Sequence, residues 1–142
     1  MFNKAKSTPG TDPAALKLRQ AGLRPTRQRL ILAELLFSGP DRHVTAEELH
    51  LEAMARGARI SLATVYNALN QFTAAKLLRE VAIEGARTYF DTNTADHFHF
   101  YVESEGKLMD IENSGVTVEG LPLAPHGKRV SRIDVIVRLS DR

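Results

Sequence analysis

The stretch Ser61-Leu-Ala-Thr-Val-Tyr-Asn-Ala-Leu-Asn-Gln-Phe72 decides the fold of this 142-residue chain. It begins with a serine, which is a favourable helix N-cap, and its apolar side chains recur at helical spacing. The pattern predicts an amphipathic helix that buries one apolar stripe against a core. The stripe consists of Leu62, Val65, Leu69 and Phe72.

The outward face of that helix carries short or planar groups that are uncharged and mostly able to form hydrogen bonds. Such a surface suits a DNA major groove, where side chains meet base edges and a methyl group can contact thymine. A helix face that is merely solvated more often carries Lys and Glu. The alternative to a DNA-reading face is an exposed polar face that has no partner. The face consists of Ala63, Thr64, Asn67 and Gln71, with Tyr66 and Asn70 at its flank.

Three shorter helices are predicted before this one, each with its own start signal. Asp12-Pro13 begins the first, Thr26 caps the second, and the capping box Thr45-Ala-Glu-Glu48 begins the third. Short helices joined by brief turns indicate a helix-turn-helix unit. The predicted helices run over 13–21, from Thr26 to about Phe37, and from Ala46 to Gly57.

From Leu77 onward the apolar period changes from helical to strand-like. Residues 78–83 and 87–90, separated by Glu84-Gly85, predict a β-hairpin. A hairpin directly after a recognition-type helix is the wing of a winged helix. Further strands are predicted at 99–102, 107–111 and 133–139, and the Gly- and Pro-rich residues 113–127 form a loop with at most one short helix.

The predicted fold class is α+β, with a winged-helix DNA-binding domain at 12–92 and a small α/β dimerisation and sensory domain at 93–142. A flexible tail is expected at 1–11, where Pro9 and Gly10 break any pattern. The second domain has about 50 residues, close to the size at which a lone core becomes marginal. Pairing with another copy would bury its apolar sheet face, so a homodimer is expected.

The composition excludes several classes of protein. There is no cysteine, which rules out disulfides, cysteine nucleophiles and a structural zinc site built from four thiolates, so any metal must be held by His, Asp and Glu. No apolar run approaches the roughly 20 residues of a membrane span, and 1–12 contains no signal-peptide core. We therefore expect a cytoplasmic protein without a membrane partner.

The charge is unevenly distributed along the chain. Residues 1–92 carry 13 Lys and Arg against 9 Asp and Glu, a balance of +4, whereas 93–142 carry 6 against 8, a balance of −2. Arg24, Arg27 and Arg29 bracket Pro25 at the start of the second helix, from which they can contact phosphate or reach a minor groove. Arginines in such positions are also commonly just solvated, and that alternative stays open here.

The segment His97-Phe98-His99 is the densest chemical feature of the second domain. On a strand, residues i and i+2 project from the same face about 6.5 Å apart, so both imidazoles can converge on one ion. Phe98 and Phe100 then face the other way, into apolar packing. From these residues alone, a solvated or merely packed pair is as good an interpretation as a pair of ligands.

Three stretches resemble the ferric uptake regulator family: Ala21-Gly-Leu-Arg-Pro-Thr-Arg-Gln-Arg29, His43-Val-Thr-Ala-Glu-Glu-Leu49, and the helix quoted first. With Arg87-Thr-Tyr-Phe-Asp91 and the His-x-His, the resemblance covers roughly residues 14 to 139. It implies that Tyr66 contacts bases, that Arg24 lies at the minor groove, and that Ser61, Thr64 and Asn67 contact the target. Asn67 stands where the family usually has an arginine, which indicates a different operator sequence.

The resemblance also implies one regulatory metal site. Its ligands would be His43, Asp91, His97 and His99, and three imidazoles with one carboxylate suit Mn, Fe or Zn. Asp91 is one methylene shorter than the family's usual glutamate. A second metal site of the family is expected to be empty, because Phe98 and Ile133 replace two of its ligands.

These losses, together with the ending Arg132-Ile-Asp-Val-Ile-Val-Arg-Leu139, are similar to the iron response regulator branch of the family. That branch implies haem sensing near His97 and His99, since imidazole is a competent axial ligand for haem iron. The implied function is a repressor of iron and haem homeostasis genes that occupies its double-stranded operator when iron is scarce and is inactivated by haem. The alternative is a repressor with Mn or Fe as corepressor.

An enzyme is not expected. The chain has no nucleophile elbow, phosphate-binding loop or His-Glu-x-x-His helix. A metallohydrolase would also need an open coordination position for an activated water, and a site with four protein ligands leaves less room for one.

Overall fold

The computed structural model describes residues 12–112 and 115–142. The chain divides into two compact units, the first ending at Thr94 and the second comprising Ala95–Arg142. The flexible tail predicted for 1–11 lies outside the described residues. The α+β class predicted from the sequence is confirmed, whereas the roles assigned to the two parts stay predictions.

Four helices dominate the first unit, and each begins at a side-chain cap that the sequence predicted. The side-chain oxygens of Asp12, Thr26, Thr45 and Ser61 each accept from an amide of the following turn. At Thr45 the capping box is complete, since Glu48 in turn accepts from the Thr45 amide at 2.8 Å. The helices are α1 (Pro13–Gln20), α2 (Arg27–Phe37), α3 (Ala46–Ala55) and α4 (Leu62–Ala74).

A small antiparallel sheet completes the first unit. Its strands are β1 (His43–Thr45), β2 (Arg79–Val81) and β3 (Tyr89–Asp91), in the order β1-β3-β2. The predicted hairpin is therefore present as β2 and β3, with shorter strands than expected. The three-residue strand β1, whose last residue Thr45 is also the N-cap of α3, is too short to produce an alternating pattern in the sequence.

The core of the first unit confirms the orientation of α4. Val65, Leu69 and Phe72 are completely buried, and Leu62 is half-buried against the same cluster. Complete burial of a Leu or Phe side chain contributes about 1.5–3 kcal/mol, so this stripe holds α4 against its neighbours and sends its polar face outward. The remaining large buried residues around the stripe are Leu18, Leu32, Leu36, Leu49 and Phe90.

The second unit contains a three-stranded sheet with the order β5-β4-β6. The strands are β4 (Phe98–Val102), β5 (Lys107–Ile111) and β6 (Ile136–Leu139). β4 pairs antiparallel with β5 and parallel with β6. The last strand begins three residues later than predicted, and residues 115–127 contain no helix.

The two faces of this sheet differ in chemistry. Residues directly opposite one another project to the same side, so the register places Phe98, Phe100 and their partners on one face, and His99 and Tyr101 on the other. His99 and Tyr101 are the buried residues, whereas Phe98 and Phe100 are only half-buried. In the single chain, the more buried face of the sheet is the one that carries His99 and Tyr101. The expectation that Phe98 and Phe100 pack into an apolar core is thus only partly correct. The phenylalanine face, as we call it, consists of Phe98, Phe100, Val102, Lys107, Met109, Ile111, Val137 and Leu139.

No helix within residues 12–112 and 115–142 combines the length and the apolar character needed to cross a bilayer.

Candidate nucleic-acid interface and metal centre

The start of α4 presents hydroxyl groups in a fixed arrangement. The Ser61 hydroxyl oxygen accepts from the Thr64 amide at 3.1 Å, and the Ser61 hydroxyl donates to Thr64 Oγ1 at 2.9 Å. Ala63 and Asn67 are exposed beside them, and Thr64 is half-buried. Four of the predicted DNA-contacting residues, Ser61, Ala63, Thr64 and Asn67, therefore lie together at the start of α4.

Tyr66 is oriented differently from its neighbours. Its ring is half-buried, and its hydroxyl donates to Oε2 of Glu47 in α3 at 2.8 Å. Arg87, in the hairpin, places its Nε 4.0 Å from the same Glu47 oxygen. A base contact by Tyr66 stays a prediction, and one partner of its hydroxyl is now identified within the protein.

This contact changes the ionisation of both residues. The hydrogen bond to Glu47 raises the pKa of the Tyr66 hydroxyl, and burial and the negative charge of Glu47 act in the same direction. Burial on its own would raise the pKa of the Glu47 carboxyl, but hydrogen bonds from its own amide and from Tyr66, together with the Arg87 charge, lower it below its usual range. Glu47 is therefore ionised and Tyr66 is neutral at neutral pH.

The three predicted arginines occupy different environments. Arg24 and Arg27 are exposed, whereas Arg29 is half-buried. The Arg29 guanidinium donates to the Arg24 carbonyl at 2.9 Å and to Oε1 of Gln71 at 2.8 Å. Arg29 thus ties the start of α2 to α4, while Arg24 and Arg27 are exposed at and just before the start of α2.

A cleft of about 250 Å³ lies between the start of α2 and the outward face of α4. Most of its lining side chains end in hydroxyl, amide or guanidinium groups, so it offers hydrogen-bond donors and acceptors to a ligand. The lining residues are Thr26, Gln28, Arg29, Thr64, Asn67, Ala68 and Gln71.

In the first unit, the sheet brings two of the four predicted metal ligands side by side. His43 on β1 lies directly opposite Asp91 on β3. Asp91 is almost completely buried, and its Oδ1 accepts from the Asn93 amide at 2.9 Å. On the other side of Asp91, the register places the buried Arg79 of β2, a residue that nothing in the sequence pattern singles out.

In the second unit, both histidines of the His-x-His segment approach one carboxylate. Nε2 of His97 and Nε2 of His99 lie 3.5 and 3.3 Å from Oδ1 of Asp110 on β5. Each of the three offers a ligand atom, and these atoms lie within 4.8 Å of one another. Nδ1 of His97 is 2.7 Å from the Ala95 carbonyl, which can only accept, so Nδ1 carries a proton and Nε2 of the neutral ring has the lone pair.

This donor set fits a divalent transition metal. Two imidazole nitrogens and a carboxylate oxygen are ligands that Zn, Fe and Mn accept, and the hydrogen bond from Nδ1 to a backbone carbonyl is the usual outer contact of a metal-binding histidine. Asp110 was not among the residues predicted from the sequence. The only sequence signal for it is that an acidic residue lies on β5, the strand after the one that contains His99. The sequence does not give the strand register that places Asp110 opposite His99.

Comparison with known proteins identifies the family. The model described as "Ferric uptake regulator family" matches residues 20–137. The chain belongs to the ferric uptake regulator family. The ferric uptake regulation protein of Shigella flexneri is 34% identical over 116 residues, which cover 80% of this chain and 78% of that protein. The peroxide-responsive repressor PerR of Staphylococcus aureus is 36% identical over 95 residues, which cover 67% of this chain and 64% of that protein.

Solved structures of ferric uptake regulators share the fold. The regulator from Pseudomonas aeruginosa with manganese has a TM-score of 0.67 at 22% identity, covering 92% of this chain and 99% of that chain. The regulator from Vibrio cholerae has a TM-score of 0.68 at 23% identity, covering 89% of this chain and 98% of that chain. The family match and the sequence relatives, not these structures, support the prediction of a transcription regulator; that this chain is not an enzyme stays a prediction. Its relatives include both iron and peroxide regulators, so the iron response regulator branch stays a prediction.

Proposed function

We propose that this member of the ferric uptake regulator family is a DNA-binding repressor whose affinity for its operator depends on a divalent metal. The observation that carries the proposal is α4, which buries Val65, Leu69 and Phe72 and leaves Ala63 and Asn67 exposed. Uncharged groups on a helix surface can discriminate between base pairs in a major groove.

Exposed positive charge near the start of α2 supports the same proposal. Arg24 and Arg27 lie at the start of α2, which Arg29 joins to α4 through Gln71. Contacts of arginine with phosphate set the position of a protein on a duplex, while base contacts provide the sequence preference. We therefore assign Arg24 and Arg27 to the backbone, and Ser61, Ala63, Thr64, Tyr66 and Asn67 to the bases. We include Arg29 as an arginine that positions α4.

We further propose that the effector is Mn, Fe or Zn, held by His97 and His99 with Asp110. The bound ion would supply a positive charge that neutralises the carboxylate and draws the two imidazoles together. Within the first unit, His43 lies opposite Asp91. The participation of His43 and Asp91 in the regulatory site belongs to this proposal.

The phenylalanine face supports a homodimer. Seven of its eight residues are apolar, and Met109 and Leu139 are 42% and 37% exposed. A unit of 48 residues, from Ala95 to Arg142, buries too little surface on its own to be strongly stable. We assign a second copy of this chain as the partner of the face, because two-fold pairing would also present two α4 helices to a two-fold operator.

Haem is the second candidate effector, and the observation that favours it concerns His97. Its side chain is 13% exposed, against 4% for His99, so His97 is the more accessible axial ligand. In this alternative, haem bound near His97 and His99 would weaken the complex with DNA, as expected for the iron response regulator branch. The two candidates therefore predict opposite effects on operator binding.

A single titration separates the candidates. An operator would first be selected from random duplexes by the full-length protein, and its binding measured by fluorescence anisotropy with chelator, with Mn, or with haem. If metal is the corepressor, chelator abolishes binding and Mn restores it, whereas the variant His97→Ala/His99→Ala binds weakly in both conditions. If haem is the effector, binding survives the chelator and falls when haem is added. Selection that enriches no sequence from the random pool would contradict the repressor proposal itself.

A further inference from the structure

The contact between Tyr66 and Glu47 determines what the tyrosine can offer to a base. A neutral tyrosine hydroxyl has one proton to donate and lone pairs with which to accept. An ionised carboxylate can only accept, so at an oxygen–oxygen distance of 2.8 Å the proton of the bond comes from Tyr66. The hydroxyl oxygen then retains only acceptor capacity for any other partner.

Two features hold Glu47 in its charged form. It lies in the first turn of α3, where the positive end of the helix dipole favours a negative group. Arg87 adds a positive charge 4.0 Å away. Both act against the cost of burying the carboxylate, whose side chain is 29% exposed. The acceptor at this position is therefore permanent at neutral pH.

The bases differ in what they present in the major groove. Adenine N6 and cytosine N4 carry amino groups that donate, whereas guanine O6, guanine N7 and thymine O4 accept. A hydroxyl that can only accept is compatible with the first two and is electrostatically mismatched with the others. An ordinary tyrosine hydroxyl, by contrast, can rotate, so it can accept from a base amino group or donate to a base acceptor.

We propose that Glu47 is a specificity-determining residue that converts Tyr66 into a reader of base amino groups. Tyr66 selects adenine or cytosine at its position in each half of the operator, and Glu47 excludes guanine and thymine there without contacting DNA itself. This inference rests on the proposed DNA-binding function and adds a residue of α3 to the determinants of sequence preference.

Selection from a random duplex pool tests the proposal, using the full-length protein and three variants. Tyr66→Phe removes the hydroxyl and keeps the ring. Glu47→Gln replaces the obligate acceptor with an amide that can also donate to the tyrosine. Glu47→Asp keeps the negative charge but moves the carboxylate back by one methylene, away from the Tyr66 hydroxyl. It therefore distinguishes an effect of the hydrogen bond from an effect of charge repulsion between Glu47 and the DNA phosphates. Circular dichroism melting confirms that each variant is folded before selection.

We expect one position per half-site at which the wild type enriches adenine or cytosine and all three variants lose that preference. Where that base is adenine, replacing it with purine, which lacks the amino group, should cost the wild type about fivefold in affinity, the value of one net hydrogen bond. Where it is cytosine, replacing it with 2-pyrimidinone, which lacks the N4 amino group, serves the same purpose. Tyr66→Phe should bind both duplexes equally.

Two results would overturn the inference while leaving the repressor proposal intact. One is a wild-type consensus that Glu47→Gln and Glu47→Asp reproduce at every position, since Glu47 would then have no influence on base choice. The other is an equal loss of affinity on removing the amino group for wild type and Tyr66→Phe, since Tyr66 would then contribute only its ring. A wild-type pool without any enriched sequence would overturn both proposals together.

Discussion

Asp110 lies directly opposite His99 across β4 and β5, with its Oδ1 3.3 Å from Nε2 of His99. The same oxygen is 3.5 Å from Nε2 of His97. Two imidazole nitrogens and one carboxylate oxygen, all potential metal ligands, therefore converge on one point of the second unit. This arrangement adds a carboxylate to the ligand set that was predicted from the family resemblance.

The first prediction concerns that carboxylate. Asp110→Asn removes the negative charge while keeping the shape, so we expect the affinity for Mn or Zn to fall by about tenfold or more. Competition against a chromophoric chelator measures the change. Asp134→Asn, an exposed aspartate of the same unit, is the control and should bind metal as the wild type does. Equal affinities for all three proteins would remove Asp110 from the site.

The second prediction concerns the phenylalanine face. Phe100→Lys places a charge near the centre of this face, where β4 pairs with both β5 and β6, and burying that charge in a dimer would be costly. Sedimentation velocity should show a dimer for the wild type and a monomer for the variant. Leu51→Lys makes the same change at a residue that is 65% exposed in the first unit, and it should remain dimeric. A dimeric Phe100→Lys would place the interface elsewhere.

The third prediction separates phosphate contacts from base contacts. Arg27→Gln should weaken binding to every duplex and lower the salt slope of the affinity by about one unit. Asn67→Ala should instead lower discrimination between the operator and a point variant by about 1–3 kcal/mol, with an unchanged salt slope. Anisotropy titrations at several salt concentrations measure both quantities. If Arg27→Gln altered base preference but not the salt slope, the two assignments would have to be exchanged.

The fourth prediction concerns the capping box of α3. Thr45→Ala removes the oxygen that accepts from the Glu48 amide at 3.1 Å, so the free energy of unfolding should fall by about 1 kcal/mol. Urea denaturation followed by far-ultraviolet circular dichroism reports mainly on the helices of the first unit. Thr45→Ser keeps the oxygen and should lose distinctly less stability. If both variants lost the same amount, the methyl packing of this buried residue would be responsible, not the cap.

The fifth prediction concerns pH. The pKa of Glu47 is lowered in the folded protein, so its contribution to stability is complete above the pKa of an unfolded glutamate, about 4.3. That contribution disappears as the pH falls through the lower folded pKa. Glu47→Gln should therefore be less stable than wild type at pH 7, and the difference in urea midpoint should shrink below about pH 4. Glu119→Gln, at an exposed glutamate of the second unit, is the control for the same chemical change.

Features governed by neighbouring residues were predictable from the sequence. The caps at Asp12, Thr26, Thr45 and Ser61 each depend on an amide two or three residues away, and all four are present. The apolar stripe of α4 depends only on the 3.6-residue period of a helix. The helices, the hairpin, the exposed face of α4 and the inward direction of that stripe all followed from such short-range rules.

Features that join distant residues required the tertiary structure. Arg29 and Gln71 are 42 residues apart, and Tyr66 and Glu47 are 19 apart, so no local period links them. The position of Asp110 opposite His99 depends on strand register, and shifting the register by one residue would turn Asp110 to the other face. The partial exposure of Phe98 and Phe100 is likewise decided by which face of β4 the rest of the chain covers.

The amino-acid order alone determined the helices, their caps and the surface that α4 exposes, because each results from backbone periodicity and hydrogen bonds within one or two turns. It also places the two histidines two residues apart, although only His99 lies on β4. Only tertiary structure decided which carboxylate faces those histidines, that Glu47 accepts the hydroxyl proton of Tyr66, and which face of the second sheet is inward. Those outcomes depend on how separate elements pack and pair, and many different pairings satisfy the same local pattern.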